Sequence, residues 1–257
     1  MTRFLTRAVS LWMLCASAVA ADVDAVVDAL GVPELIRIFA SEGAESGAFV
    51  DEAYLGGQGG DVWAETVRRL YDPARMEQEM RAVMQTQLDP DMAEQALLFL
   101  QSDLGAKAIA LEVQARQAFT DDTVEAAARS APSAQSEQVT KYLDARALVS
   151  RNTDVGVAAR IAFFEGLIDG AGTGDLPDTD ALRAAIAEDS EGWLRGYYAL
   201  IQSAMTEDEV AVLTAFWKTD VGDAVDDALF EAFGQSYVTL SYAIGQAAGR
   251  LAPQNEL

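Results

Sequence analysis

The chain has 257 residues, 41 acidic against 18 basic side chains, a formal charge of −23, no histidine and one cysteine. That charge repels phosphate backbones and anionic lipid, so no nucleic acid is expected as a partner. The missing histidine rules out Ser-His-Asp and Cys-His catalysis and His-ligated zinc.

Residues 1–20 read as a secretory signal. Arg3 and Arg7 give a positive start, Ala8 to Ala20 are apolar, and Ala18-Val19-Ala20 is a small-x-small site that places cleavage between Ala20 and Ala21. The apolar run is too short to span a bilayer, which takes about 20 residues. Processing removes Cys15 with Arg3 and Arg7, leaving 16 basic residues against 41 acidic ones and no thiol for redox or Fe–S chemistry. The three lysines (Lys107, Lys141 and Lys218) fit no S-x-x-K motif, and no phosphate loop of the G-x-x-x-x-G-K-[ST] type occurs. Carboxylates are the remaining chemical resource. No cofactor is expected.

Beyond the signal every extended segment has helical periodicity and none alternates like a strand, which predicts an all-α, multi-helix bundle. The first helix covers Asp22 to Leu30, with Val23, Val26, Val27 and Leu30 on one face, and Gly31 stops it. Pro33 opens a second helix, expected to pass after Phe39 into a Gly-containing stretch, Glu42 to Gly47. Gly56, Gly57, Gly59 and Gly60 form a break. Helices follow over Val62–Tyr71, Pro73–Gln87, Pro90–Gln101 and Asp103–Phe119. Ser130 to Ser136 reads as a surface connection between an N-terminal half, 21–130, and a C-terminal half, 138–251. A helix over Gln138–Leu167 is followed by a second glycine-rich break, Asp169 to Asp175. Four more helices are expected: Thr179–Glu188, Trp193–Ala204, Glu207–Lys218 and Asp220–Arg250. Residues 252–257 are read as a flexible tail.

The halves share a repeat at an offset of 117 residues. Phe99-Leu100-Gln101-Ser102-Asp103-Leu104-Gly105 matches Phe216-Trp217-Lys218-Thr219-Asp220-Val221-Gly222, identical at three of seven positions. Asp89 with Pro90, and Thr206 with Glu209 three residues on, are helix starts preceding the two copies. Ser102 and Thr219 suit caps of the helix that follows, and Asp103 and Asp220 favour its positive end. Gly105 and Gly222 remove a side chain in its first turn, so the preceding helix can approach closely. All seven positions are thus explained by a tight helix-to-helix corner, and the bulk of Trp217 predicts the tighter one at Gly222.

This corner resembles the secreted bacterial family of unknown function numbered twenty-fifty-nine, whose pattern sets an aromatic pair, Ser or Thr, usually Pro, then Gly between two helices. Asp103 and Asp220 stand where Pro is usual, and Leu100 where a second aromatic is common. The family-like units cover roughly residues 74–130 and 189–251. Asn152, Phe163-Phe164-Glu165-Gly166-Leu167 and Glu42-Gly43 resemble the longer two-copy members of alphaproteobacterial type. The resemblance implies a helical protein of the envelope compartment and carries over no reaction.

Other candidates have plainer readings. Asp175, Asp178 and Asp180, or Asp121 and Asp122, lack the spacing of a calcium loop and suit helix caps. Trp193, Tyr197, Tyr198 and Trp217 fit core packing before a ligand groove. Phe230, Phe233, Tyr237, Leu240, Ile244, Ala247 and Leu251 step alternately by three and four, a seam suited to intramolecular packing or to a homodimer through the C-terminal helix. The expected function is that of a periplasmic binding or protein-interaction module, its partner an envelope protein or a small ligand and its mature form not membrane-spanning. The alternative is a carboxylate-only enzyme acting on envelope glycans through two acids across a cleft. Protein recovered from the periplasm should have the intact mass of a chain that starts at Ala21; a species retaining Arg3 would contradict the signal.

Overall fold

The structure, a computed structural model, describes residues 23–252; the proposed signal, its cleavage site at Ala20 and Ala21, and residues 253–257 lie outside them. Among the described residues the chain is all-α, a multi-helix bundle without strands. α1 covers residues 23–29. Then come α2 (Val32–Leu55), α3 (Gly60–Leu70), α4 (Pro73–Gln87), α5 (Pro90–Leu100), α6 (Asp103–Ala118) and α7 (Asp122–Ser130). A 3-10 turn at Pro132–Gln135 leads to α8 (Glu137–Ala145), α9 (Leu148–Ala171), α10 (Thr179–Gln202), α11 (Glu207–Trp217) and α12 (Asp220–Leu251). No helix among them is long and apolar enough to cross a membrane.

Four boundaries differ from the sequence reading. α2 does not end near Phe39 but runs on to Leu55. It passes through Gly43 and Gly47, where an added Cβ would strike the Tyr71 ring and the Val67 side chain. The two glycines admit α3 to the face of α2 instead of ending it, and the Trp63 indole donates to the Gly47 carbonyl at 2.8 Å. α9 likewise continues through Gly170 and stops at Gly172, whose φ of 76° is left-handed. The two helices read over 179–204 are one, α10, because Gly192 and Gly196 give room to α7. The helix read over 138–167 is two, separated at Ala147, which holds φ 48°. A left-handed alanine costs about 1–2 kcal/mol. The interactions of Arg146, the residue before it, hold it there (below).

α12 is the spine. It packs on α9 along most of its length and also touches α2, α3, α4, α5 and α11. α9 and α12 are parallel: Arg151, early in α9, pairs with Asp223 and Asp227, early in α12, while Gly166 and Gly170 late in α9 meet residues 242–250 late in α12. In this late region backbone lies on backbone. A Cβ on Gly245 would fall on the Phe163 carbonyl, one on Gly249 on the Leu167 carbonyl, and one on Gly166 on the Tyr242 carbonyl. Side chains this small let helices pack with main chain in the contact.

The main core draws on both halves of the chain, from Val23, Met80 and Leu100 to Tyr142, Tyr198 and Ala232. A second cluster, with Leu55, Trp63, Tyr71, Phe163, Leu240 and Ile244, closes the end where α2, α3, α9 and α12 meet. The seam on α12 packs within the subunit: Phe230 and Phe233 lie against the main core, and Leu240, Ile244 and Ala247 in or against the second cluster, whereas Tyr237 and Leu251 are exposed.

Alanine at Gly245 should lower stability in urea unfolding by at least about 1–3 kcal/mol through overpacking. The same loss is expected for Gly105→Ala and Gly222→Ala, whose added methyls would meet main chain in the corners described next. A gain of about 0.4–1 kcal/mol, as for a helix glycine with free space around it, would contradict the close approach.

Candidate functional site

The repeat residues build two nearly identical corners. Ser102 caps α6: its hydroxyl accepts from the Gly105 N–H at 3.1 Å and donates to the Phe99 carbonyl at 2.6 Å. Thr219 caps α12 in the same way, at 3.1 Å from the Gly222 N–H and 2.7 Å from the Phe216 carbonyl. Asp103 and Asp220 occupy the exposed first turns. A Cβ on Gly105 would lie 2.8 Å from the Leu100 Cα, and one on Gly222 2.7 Å from the Trp217 Cα. The Phe99 carbonyl lies nearer to Gly105 than the Phe216 carbonyl does to Gly222. The carbonyl approach is closer at Gly105 and the Cα approach closer at Gly222, so Trp217 does not set its corner apart as the tighter one; main chain makes the approach and the indole is engaged elsewhere. The corners face each other, with the Phe99 and Phe216 rings stacked at 3.8 Å and 9°. None of these eight residues lines the groove described below.

The Trp217 indole lies against the guanidinium of Arg146, 3.9 Å from the ring centroid. Arg146 is buried and forms a two-pronged ion pair with Asp226 at 2.6 and 2.9 Å. It also donates to the hydroxyls of Tyr142 at 2.9 Å and Tyr198 at 3.3 Å, and lies 3.6 Å from the carboxylate of Glu112. Five elements thus converge on one cation: α6, α8, α10, α11 and α12. Burial pushes the Glu112 carboxyl above its ordinary range, and the nearby Arg146 charge draws it partly back. The same burial raises the hydroxyls of Tyr142 and Tyr198, keeping them neutral as they accept from the guanidinium.

None of these charged residues stood out in the sequence, although helical spacing carried a signal. Asp226 lies four residues after buried Gly222 and next to buried Val225, on the inner stripe of α12, while Asp223 and Asp227 face outward to Arg151. Glu112 similarly falls between Ile109 and Ala115 on the inner face of α6. A charge on an apolar stripe marks a buried pair, but its partner is set only by the fold.

The acids weighed for calcium are caps. Asp178 accepts from the N–H groups of Asp180 and Ala181, and Asp121 from that of Thr123. Tyr197, Tyr198 and Trp217 are buried in the main core, with Trp193 packed against it.

A cavity of ligand size lies elsewhere, between α2, the start of α7, α9 and α12, and it alone among the cavities of the described residues combines a buried aromatic and aliphatic lining with a polar edge. It is a groove of about 780 Å³, within the range of small-molecule sites, roughly 300–1,000 Å³. Buried Phe119, Ala159, Phe163, Leu240 and Ile244 supply an apolar lining, together with Tyr71. Phe49 and Tyr237, exposed at 68% and 41%, stand at its edge. Ser41, Glu42, Glu45, Gln117, Asp122, Glu125 and Arg160 make its lining polar in part. Glu42 is ion-paired with Arg116 of α6, and Glu125 with Arg129 at 2.9 Å. Phe119 connects groove and cluster: its ring meets Tyr197 edge-on at 5.5 Å, Tyr197 meets Tyr198 at 5.1 Å, and Tyr198 touches Tyr142 at 4.8 Å.

No family model matches the chain, and comparison with curated proteins and with solved structures gives no match either.

Replacing Asp226 by Asn should cost about 3–5 kcal/mol, because Arg146 is left buried without its counterion. Glu112→Gln should behave differently. A carboxyl with a raised folded-state pKa holds its proton more tightly in the folded chain, so it supports folding at low pH. That support is lost as pH climbs from the ordinary 4.5 through the raised value. The stability of Glu112→Gln relative to the parent should therefore increase between pH 4.5 and 7.5 in urea titrations; a decrease over that interval would contradict the assignment.

Proposed function

We propose that the chain is a non-enzymatic binding module of the bacterial periplasm, that it acts through the groove between α2, α9 and α12, and that its duplicated corner makes it a two-copy relative of the family numbered twenty-fifty-nine. The groove carries the reading. It combines an apolar lining with a few polar groups, the composition of a site that binds by burying a ligand's body and orienting its polar end. The glycan-hydrolase reading is less well supported, since it needs two acids free to act across a cleft. Glu42 and Glu125 are tied to arginines, and Glu112 is packed beside Arg146 away from the groove lining. The other two acids of the lining, Glu45 and Asp122, carry no ion pair but are exposed to solvent, not desolvated as a general acid of this kind is. The two corners contribute as scaffold: they fix α6 and α12, which carry Phe119's neighbours and the Leu240–Ile244 wall.

A neutral apolar fluorophore such as Nile red should bind the mature chain with a blue-shifted emission. Ser241, half-buried in the groove wall, offers a site to fill it. Ser241→Trp should weaken dye binding by at least about tenfold, equivalent to 1.4 kcal/mol, while leaving the urea midpoint nearly unchanged. Equal binding by parent and variant would place the dye elsewhere and remove support for the groove.

A further inference from the structure

We propose that the groove takes an amphiphile with a single anionic head, a medium-chain or aryl carboxylate, whose head meets Arg160 and whose body lies along Phe163, Leu240 and Ile244. This rests on the reading of the groove as a binding site and adds the chemical class of its ligand.

The charge balance of the chain makes Arg160 unusual. Carboxylates outnumber cations by more than two to one. Among the described lysines and arginines, only Arg160, Lys218 and Arg250 have no described carboxylate within 4.0 Å. Of these three, Arg160 alone lines the groove. Its side chain is exposed there, close enough to Tyr237 for its charge to act on that hydroxyl. A guanidinium with free donors in a cleft suits a carboxylate, which it can hold through two parallel hydrogen bonds.

The acids nearby do not cancel it. Glu42 is committed to Arg116 and Glu125 to Arg129. Asp122 sits in the first turn of α7, where the helix dipole favours its charge. Glu45 remains as an exposed negative charge on α2, and it makes a cationic amphiphile the competing ligand. Order along the helices separates head from body. On α9, Arg160 precedes Phe163 by three residues, one helical step on the same face. On α12, which runs parallel, Tyr237 precedes Leu240 and Ile244 at steps of three and four. Arg160 and the Tyr237 hydroxyl thus precede the apolar Phe163, Leu240 and Ile244 in the same direction along the two walls.

Isothermal titration of the mature chain at low salt with decanoate, 1-decanol and decyltrimethylammonium, each below its micellar concentration, tests head and body separately. Decanoate should bind at least about tenfold more tightly than 1-decanol. Arg160→Gln should bring decanoate to the level of the alcohol, and Lys218→Gln, which removes an unpaired cation outside the groove, should leave it unchanged. Equal affinity for decanoate and decanol, or preference for the ammonium, would overturn the anionic head while leaving the groove in place. Nile red binding that Ser241→Trp abolishes, with no response to any decyl probe, would also overturn it. If neither Nile red nor any decyl compound bound the parent, the groove itself would fall, and the ligand class with it.

Discussion

The backbone contact between the late parts of α9 and α12 is the constraint on which the arrangement depends. Gly166, Gly170, Gly245 and Gly249 leave no side chain between two parallel helices, so each helix presents carbonyls where a Cβ would otherwise lie. Glycine within a helix costs about 1 kcal/mol relative to alanine in propensity. Four in one interface are tolerated because dispersion across a main-chain contact and burial on both sides offset that cost. With α12 fixed on α9, the remaining faces of α12 receive α4, α5, α11 and the end of α2 and α3. The same device recurs where Gly43 and Gly47 admit α3, and where Gly192 and Gly196 admit α7.

At the other end of the α12 spine, register is set by charge. A buried ion pair contributes little net stability over well-packed apolar residues, but breaking it is costly. The Arg146–Asp226 pair therefore acts as a positional device: it joins the end of α8 to α12, and the tyrosine hydroxyls and the Trp217 face complete the guanidinium's surroundings. Holding Arg146 inward accounts for the left-handed Ala147 beside it, a conformation that persists only where neighbours impose it. The duplicated corners differ at this point. Trp217 faces the cation, whereas its counterpart Leu100 is an ordinary core side chain, so one copy of the repeat serves the charge cluster and the other serves packing alone.

The groove and the cluster are joined through aromatic contacts from Phe119 to Tyr142, yet their chemistry is opposite. The cluster's charges are satisfied by partners inside the fold. In the groove Arg160 has no described carboxylate within 4.0 Å and stands beside apolar side chains. That contrast separates a structural polar group from one available to a ligand.

Local chemistry made much of the fold legible in advance. Helical periodicity and caps at Asp89, Ser102, Thr206 and Thr219 determine the all-α class and most boundaries, since these signals act within a few residues. The repeat, read as a helix corner from its Ser/Thr, Asp and Gly, also required only neighbours in sequence. Glycine is where such reading failed. Gly43, Gly47, Gly170 and Gly192 looked like breaks or gaps, because in isolation a glycine weakens a helix. Only a second helix, distant in sequence, turns the missing Cβ into a contact. The same holds for the sites. That Arg146 would meet Asp226 80 residues on, and that Arg160 would stand beside an apolar groove, was decided by tertiary structure, because charge pairing and cavity shape depend on which faces meet and not on the residues along either helix.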